Sequence, residues 1–241
     1  MIDISKGRYW DEGVTLISSC TPCSPGCDNC WALAMERRFK PEFKNQVTVH
    51  PDRLKRFNTK KSKVFAIWND LFHEDVPDSF IEEVFRCFNV KVLNPEPINT
   101  YLILTKRPKR MVEFLGKYTG LGIAPWQHVY FGLTVCNQQE ADEKIPIFLQ
   151  VPGKKFLSIE PSLEEISFLS FDVKMVQCFD VVIMGCETGV NARLMDIEWA
   201  RTIRSECDMV GVPFFLKQLD KKHNRVLDDR TYDALPWVKN G

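Results

Sequence analysis

Apolar residues fall in short runs that alternate with amphipathic stretches along the chain. The runs Val14–Ser18, Val64–Trp68, Tyr101–Thr105, Val129–Val135, Lys155–Ile159, Val181–Gly185 and Pro213–Lys217 are mostly rich in Val, Ile, Phe and Tyr. They are too short for helices and predict strands. Helix-like segments lie between them at Trp31–Phe39, Ser79–Asn89, Pro108–Leu115, Gln138–Leu149 and Ile197–Met209. Pro77-Asp78 supplies a start signal for the second of these. The recurring strand–helix unit predicts an α/β fold with a parallel sheet wrapped by helices. Continuously apolar strands agree, because parallel strands are covered on both faces.

Reactive side chains stand just past the C-terminal end of nearly every predicted strand. In order they are four cysteines, Asn69-Asp70, Lys106-Arg107, Cys136-Asn137, Glu160, Glu187 and Gln218. Parallel α/β folds build their sites at that end of the sheet, so these groups are expected to share one site.

The length of 241 residues suits one domain of barrel size, expected to span 1–241. Lys+Arg and Asp+Glu are balanced at 32 each, so net charge selects no partner, and a nucleic-acid role has to rest on local patches. No apolar signal core opens the chain and no run is long enough to span a bilayer. A cytoplasmic protein without membrane contact is expected. Nine cysteines without a secretion signal point to metal or catalysis rather than disulfides.

Four of those thiols lie within Cys20-Thr-Pro-Cys23-Ser-Pro-Gly-Cys27-Asp-Asn-Cys30. Thiolates are soft ligands, suited to zinc or to iron–sulfur iron. Pro22, Pro25 and Gly26 keep the segment out of regular structure. A four-cysteine zinc site normally separates its two knuckles by a longer spacer than Ser24-Pro25-Gly26, which favours the cluster. The spacing Cys23-x3-Cys27-x2-Cys30, after the first strand and before the first helix, is similar to that of radical S-adenosylmethionine (SAM) enzymes.

The wider pattern resembles the phage three-Cys-motif proteins, which look like divergent radical SAM enzymes. The resemblance runs from about Thr15 to Gln218. It is carried by Cys20 with Ser24-Pro-Gly-Cys-Asp-Asn-Cys-Trp-Ala32, Asp70-Leu-Phe-His-Glu-Asp-Val-Pro77, Leu104-Thr-Lys-Arg-Pro108, Gly132-Leu-Thr-Val135 with Asn137, Leu157-Ser-Ile-Glu-Pro161, Gly185-Cys-Glu-Thr-Gly189 with Ala192-Arg193, and Pro213-Phe-Phe-Leu-Lys-Gln218. It implies a partial (β/α)6–7 TIM-like barrel, a [4Fe–4S] cluster, SAM and an external electron donor. It also implies a DNA or nucleotide-type substrate in the host cytoplasm, with radical modification or rearrangement of a base as the reaction. Radical chemistry on a small nucleoside or a protein side chain is the alternative, as is a non-catalytic zinc- or cluster-bearing nucleic-acid-binding protein. In that family the cysteines correspond to Cys20, Cys27 and Cys30, with an aliphatic residue in place of Cys23. The third ligand therefore lies between Cys20 and Cys23. Cys136 stands where Glu is usual and Cys186 where Gly is usual.

The remaining site residues follow from what the resemblance implies, together with residue type and position. Asn69 and Asp70 offer oxygen acceptors to the SAM ammonium. Thr105 and Lys106 end the third strand, and Lys106 suits an anion such as a carboxylate. Ser158 and Glu160 suit ribose hydroxyls. Glu187, Lys217 and Cys136 are the candidate catalytic groups, with Cys136 a hydrogen-atom donor if its thiol faces the site. The basic stretches Arg53–Lys63 and Lys221–Arg225 are candidate phosphate contacts.

Overall fold

A computed structural model of the chain describes residues 2–39, 46–90, 99–119, 126–189 and 191–238. The strands are β1 (Glu12–Thr15), β2 (Ile17–Ser18), β3 (Thr48–Val49), β4 (Val64–Trp68), β5 (Thr100–Thr105), β6 (Val129–Thr134), β7 (Lys154–Ile159), β8 (Val181–Gly185) and β9 (Phe214–Gln218). The helices are α1 (Trp31–Phe39), α2 (Asp78–Val90), α3 (Pro108–Thr119), α4 (Gln138–Phe148), α5 (Val173–Val176) and α6 (Ile197–Val210). Seven strands form one parallel sheet in the order β1-β4-β5-β6-β7-β8-β9, curled into a half-barrel. β2 and β3 make a separate antiparallel pair.

Side-chain alternation along each strand divides the two faces. Phe65, Ile103, Phe131, Leu133, Leu157, Val182 and Leu216 point outward to the helices and are buried there. They meet Ile81, Val84 and Phe88 of α2, Met111 and Phe114 of α3, Ile145 and Phe148 of α4, and Ile203 of α6. The inner face carries Val64, Leu102, Tyr130, Phe156, Ile183 and Phe215, closed over by Tyr9, Leu235 and Trp237 from the two ends of the chain. Gly132 belongs to this inner layer, where a Cβ would collide with the Phe156 ring. Farther along the same strands, the inward positions become Trp68, Lys106, Thr134, Ser158, Glu160 and Lys217, which line an open cavity. The period-two pattern thus builds a cup with an apolar floor and a polar mouth.

One predicted strand is divided. Val14–Ser18 leaves the main sheet after Thr15, because Arg53 takes the Thr15 carbonyl at 2.6 Å and the His50 N–H takes the Leu16 carbonyl at 2.9 Å. Among the described residues, no helix is long and apolar enough to cross a membrane.

Candidate active site

The cysteine loop closes one side of the cup. Ser24 opens a 3-10 turn over Pro25–Cys27, its hydroxyl accepting the Gly26 N–H at 3.2 Å. The Ala34 N–H then reaches the Cys30 carbonyl at 3.0 Å, so α1 begins directly after Cys30. Cys20, Cys23, Cys27 and Cys30 all line the same cavity of ≈ 380 Å³, within the usual size range of ligand sites.

Two arginines hold the loop from opposite sides. Arg107, at the start of α3, donates to the Thr21 carbonyl at 2.9 Å and hydroxyl at 3.1 Å, and its Nη1 stands 3.7 Å from the Cys20 Sγ. His73 supports the same turn, its Nε2 lying 2.7 Å from the Thr21 hydroxyl. Burial and nearby Arg107 lower the His73 pKa, which suits a neutral structural ring. On the other side Arg193 donates to the Pro25 carbonyl at 2.8 Å and pairs with Glu187 at 2.6 Å. Asn29 donates to the same carboxylate at 2.9 Å. Burial alone would raise the Glu187 pKa, but Arg193 and Asn29 hold it at about 2. Glu187, expected to be catalytic, is therefore a fixed anion that grips the loop through Asn29 and Arg193.

Electrostatics around the thiols is uneven. Burial raises Cys20 to about 11 despite Arg107. The Cys23 thiol is hydrogen-bonded to Cys27, which favours the Cys27 thiolate. Lys106 projects into the cavity, and its ammonium has no hydrogen-bond or ion-pair partner among the described residues. Burial would lower its pKa, yet the thiols of Cys136, Cys27 and Cys30 together with Asp70 raise it. An unpaired ammonium facing thiols fits a site that receives negative charge. Soft donors beside such a cation suit a thiolate-bound iron–sulfur cluster. Among the described residues, no three His, Cys, Asp or Glu side chains converge as they would on one metal ion.

Several expectations change with the geometry. Asp70 is 7% exposed and accepts four hydrogen bonds: from the Thr105 hydroxyl (2.6 Å), the Phe72 N–H (3.0 Å), the Lys106 N–H (3.1 Å) and Arg107 (3.0 Å). Its acceptor capacity is filled, so Asp70 and Thr105 join the ends of β4 and β5 instead of offering themselves to a ligand ammonium. Asn69 lines the cavity in a left-handed conformation (φ 63°), tolerable for Asn, and donates to the Ile17 carbonyl at 2.7 Å. Cys136 does not face the cavity. It is fully buried behind the loop, where a Cβ on Gly26 would collide with its Sγ, so the expected role as hydrogen-atom donor would require the loop to move. Cys186, by contrast, lines the cup.

The opposite wall carries Ser158, Glu160 and Lys217. Lys217 donates to Glu160 at 2.5 Å, while the Tyr9 and Ser158 hydroxyls each donate to the other carboxylate oxygen at 3.2 Å. Part of each basic stretch is committed within the chain. Arg56 and Lys63 flank Glu12, Arg53 holds Thr15, and buried Arg225 pairs with Asp233. Sequence reasoning missed Tyr9, Trp10, Trp31 and Trp68, which also line the cup. The only signal for Trp31 and Trp68 was their position beside the cysteine loop and at the end of a strand. Tyr9 and Trp10 precede the first strand and gave none.

A family model described as "Protein of unknown function (DUF5131)" matches residues 5–236. No curated protein and no solved structure matches the chain.

Proposed function

The chain belongs to the family described as Protein of unknown function (DUF5131), and from that premise we propose that it is a radical SAM enzyme. The observation that carries this reading is the loop of thiols at the C-terminal mouth of a parallel half-barrel, facing the Lys106 ammonium, which has no partner among the described residues. Cys27, Cys30 and either Cys20 or Cys23 would hold a [4Fe–4S] cluster. When bound, that cluster supplies electrons for reductive cleavage of SAM, replenished by an external electron donor.

The chain's own residues prepare the site. Cys23 favours the thiolate at Cys27 through its hydrogen bond. Arg107 and Arg193 fix the two arms of the loop before any ligand arrives. Lys106 offers a cation to the carboxylate of SAM or to the anionic cluster. Ser158, at the inner end of β7, offers a hydroxyl to a ribose. The apolar floor of Leu102, Tyr130 and Phe156 keeps water out below. All nine cysteines are free, which leaves the four loop thiols available as ligands.

Anaerobic reconstitution with iron and sulfide tests the reading. Brown protein with broad absorbance near ~400 nm is expected, as for thiolate-held clusters. Reduction in the presence of SAM should release 5′-deoxyadenosine, and Cys27→Ala or Cys30→Ala should abolish it. A colourless protein that binds only zinc would overturn the proposal.

A further inference from the structure

One side of the cup, starting at Trp31 where the cysteine loop ends, is aromatic. Trp10, Trp31 and Trp68 line it beside Lys217. Trp68 lies flat over β1, where a Cβ on Gly13 would collide with its indole. Trp31 stands edge-on to Trp68 with ring centroids 5.2 Å apart and is 51% exposed at the mouth. Lys217 sits 5.7 Å from the Trp10 ring and 5.8 Å from Tyr9.

The free polar groups in this half are of one kind. The indole N–H groups of Trp10 and Trp31 have no hydrogen-bond partner among the described residues, while that of Trp68 lies against Gly13 of β1. Lys217 gives one N–H to Glu160 and has no other hydrogen-bond acceptor among the described residues. The acceptors are already used, since Glu160 takes bonds from Tyr9, Ser158 and Lys217. A ligand that fits must therefore be flat, to lie against indoles, and rich in acceptors, to satisfy the remaining donors. A cationic side chain fails against Lys217.

We propose that this wall is the substrate subsite and that it takes a planar heteroaromatic ring bearing carbonyl oxygens, an oxo-nucleobase of the thymine type. The proposal rests on the radical-enzyme reading for what is done to the ring, and not for its binding. Stacking on indole gives affinity, and the Lys217 ammonium selects carbonyl-bearing rings over amino-bearing ones.

Equilibrium dialysis of the full-length chain tests this without turnover, using thymidine, 2′-deoxyadenosine, oligothymidylate and S-adenosylhomocysteine as probes. Thymidine should bind more tightly than 2′-deoxyadenosine. Trp31→Ala should weaken it about tenfold, the usual scale of one base–aromatic stack. Lys217→Gln should remove the preference for thymidine, and Lys217→Arg should keep it. Tighter binding of oligothymidylate than of thymidine supports a base presented by a polynucleotide; equal or tighter thymidine binding supports a free nucleoside. Failure to bind either nucleoside, or unchanged thymidine affinity in both Trp31→Ala and Lys217→Gln, overturns the subsite. So does an effect of Trp31→Ala on S-adenosylhomocysteine alone, which would give the wall to the cofactor. Loss of the cluster reading would instead appear as absent iron and absent SAM cleavage with thymidine binding intact.

Discussion

Gly26 shows how closely the cysteine loop is fitted to the sheet. It has no special backbone angle; the missing side chain is what matters. A Cβ there would collide with the buried Cys136 thiol and stand 3.1 Å from the Pro161 Cδ. Gly26→Ala should therefore lift the loop, costing about 1–3 kcal/mol as overpacking does, and lower the iron bound per chain after reconstitution. Adding Cys136→Ala removes the colliding sulfur and should restore much of both values. Equal iron content in wild type and Gly26→Ala would show that the loop is not held by this contact. Glu187 gives a second residue-scale test. Its folded pKa of about 2 lies below the ordinary 4.5. A depressed carboxyl contributes stability that is present above the unfolded value and is lost as pH falls toward the folded one. Urea midpoints measured at about pH 5 and about pH 3 should therefore converge when Glu187→Gln is introduced. An unchanged pH dependence in the variant would remove the carboxylate from the clamp.

At the scale of elements, the ends of β4 and β5 are tied through one carboxylate. Asp70 gathers the Thr105 hydroxyl, two backbone N–H groups and Arg107, which itself reaches Glu74 and the cysteine loop. Asp70→Asn turns an amide NH2 toward these donors and leaves the guanidinium without its buried partner. A loss of about 3–5 kcal/mol in urea unfolding is expected, with lower iron content because the loop loses its anchor. This tie explains what could be read from the chain and what could not. Strands such as Val64–Trp68 and Val181–Gly185 were legible because each is an uninterrupted apolar run bounded by polar residues, and the structure keeps those bounds. The shared end of the strands followed from the recurring strand–helix order. The roles of individual polar residues did not follow. Asp70 looked like a ligand for an incoming ammonium because sequence cannot count the donors that its own turn and the distant Thr105–Arg107 segment bring to it. Whether the Cys136 thiol faces the site was not legible for a similar reason, since Gly26, which covers it, lies 110 residues earlier in the chain.

For the molecule as a whole, the two ends of the chain decide whether the half-barrel is a cup or a trough. The seven-stranded sheet ends at β1 and β9, the Leu216 N–H on the outer side of β9 bonds the Tyr232 carbonyl at 3.0 Å, and the segment around Tyr9 packs across the inner face. Gly7 lets that segment press against the Lys217 backbone, where a Cβ would collide with the carbonyl. Trp237 pins it from the far end, donating its indole N–H to the Tyr9 carbonyl at 2.8 Å while packing on Tyr130 and Phe156. Tyr9 then passes the constraint into the site through its hydroxyl on Glu160, which fixes Lys217. Trp237→Ala should cost about 3 kcal/mol in guanidinium unfolding, the low end for a large aromatic because the ring is only half-buried. Trp237→Phe keeps most of the ring packing but loses the bond to Tyr9, so it should recover most of the stability. If the C-terminal segment only fills space, the Phe variant should bind thymidine as wild type does. If it positions the aromatic wall, as the Trp237–Tyr9–Glu160–Lys217 chain implies, the Phe variant should stay stable yet bind thymidine more weakly, with faster amide exchange at Tyr9 and Trp10.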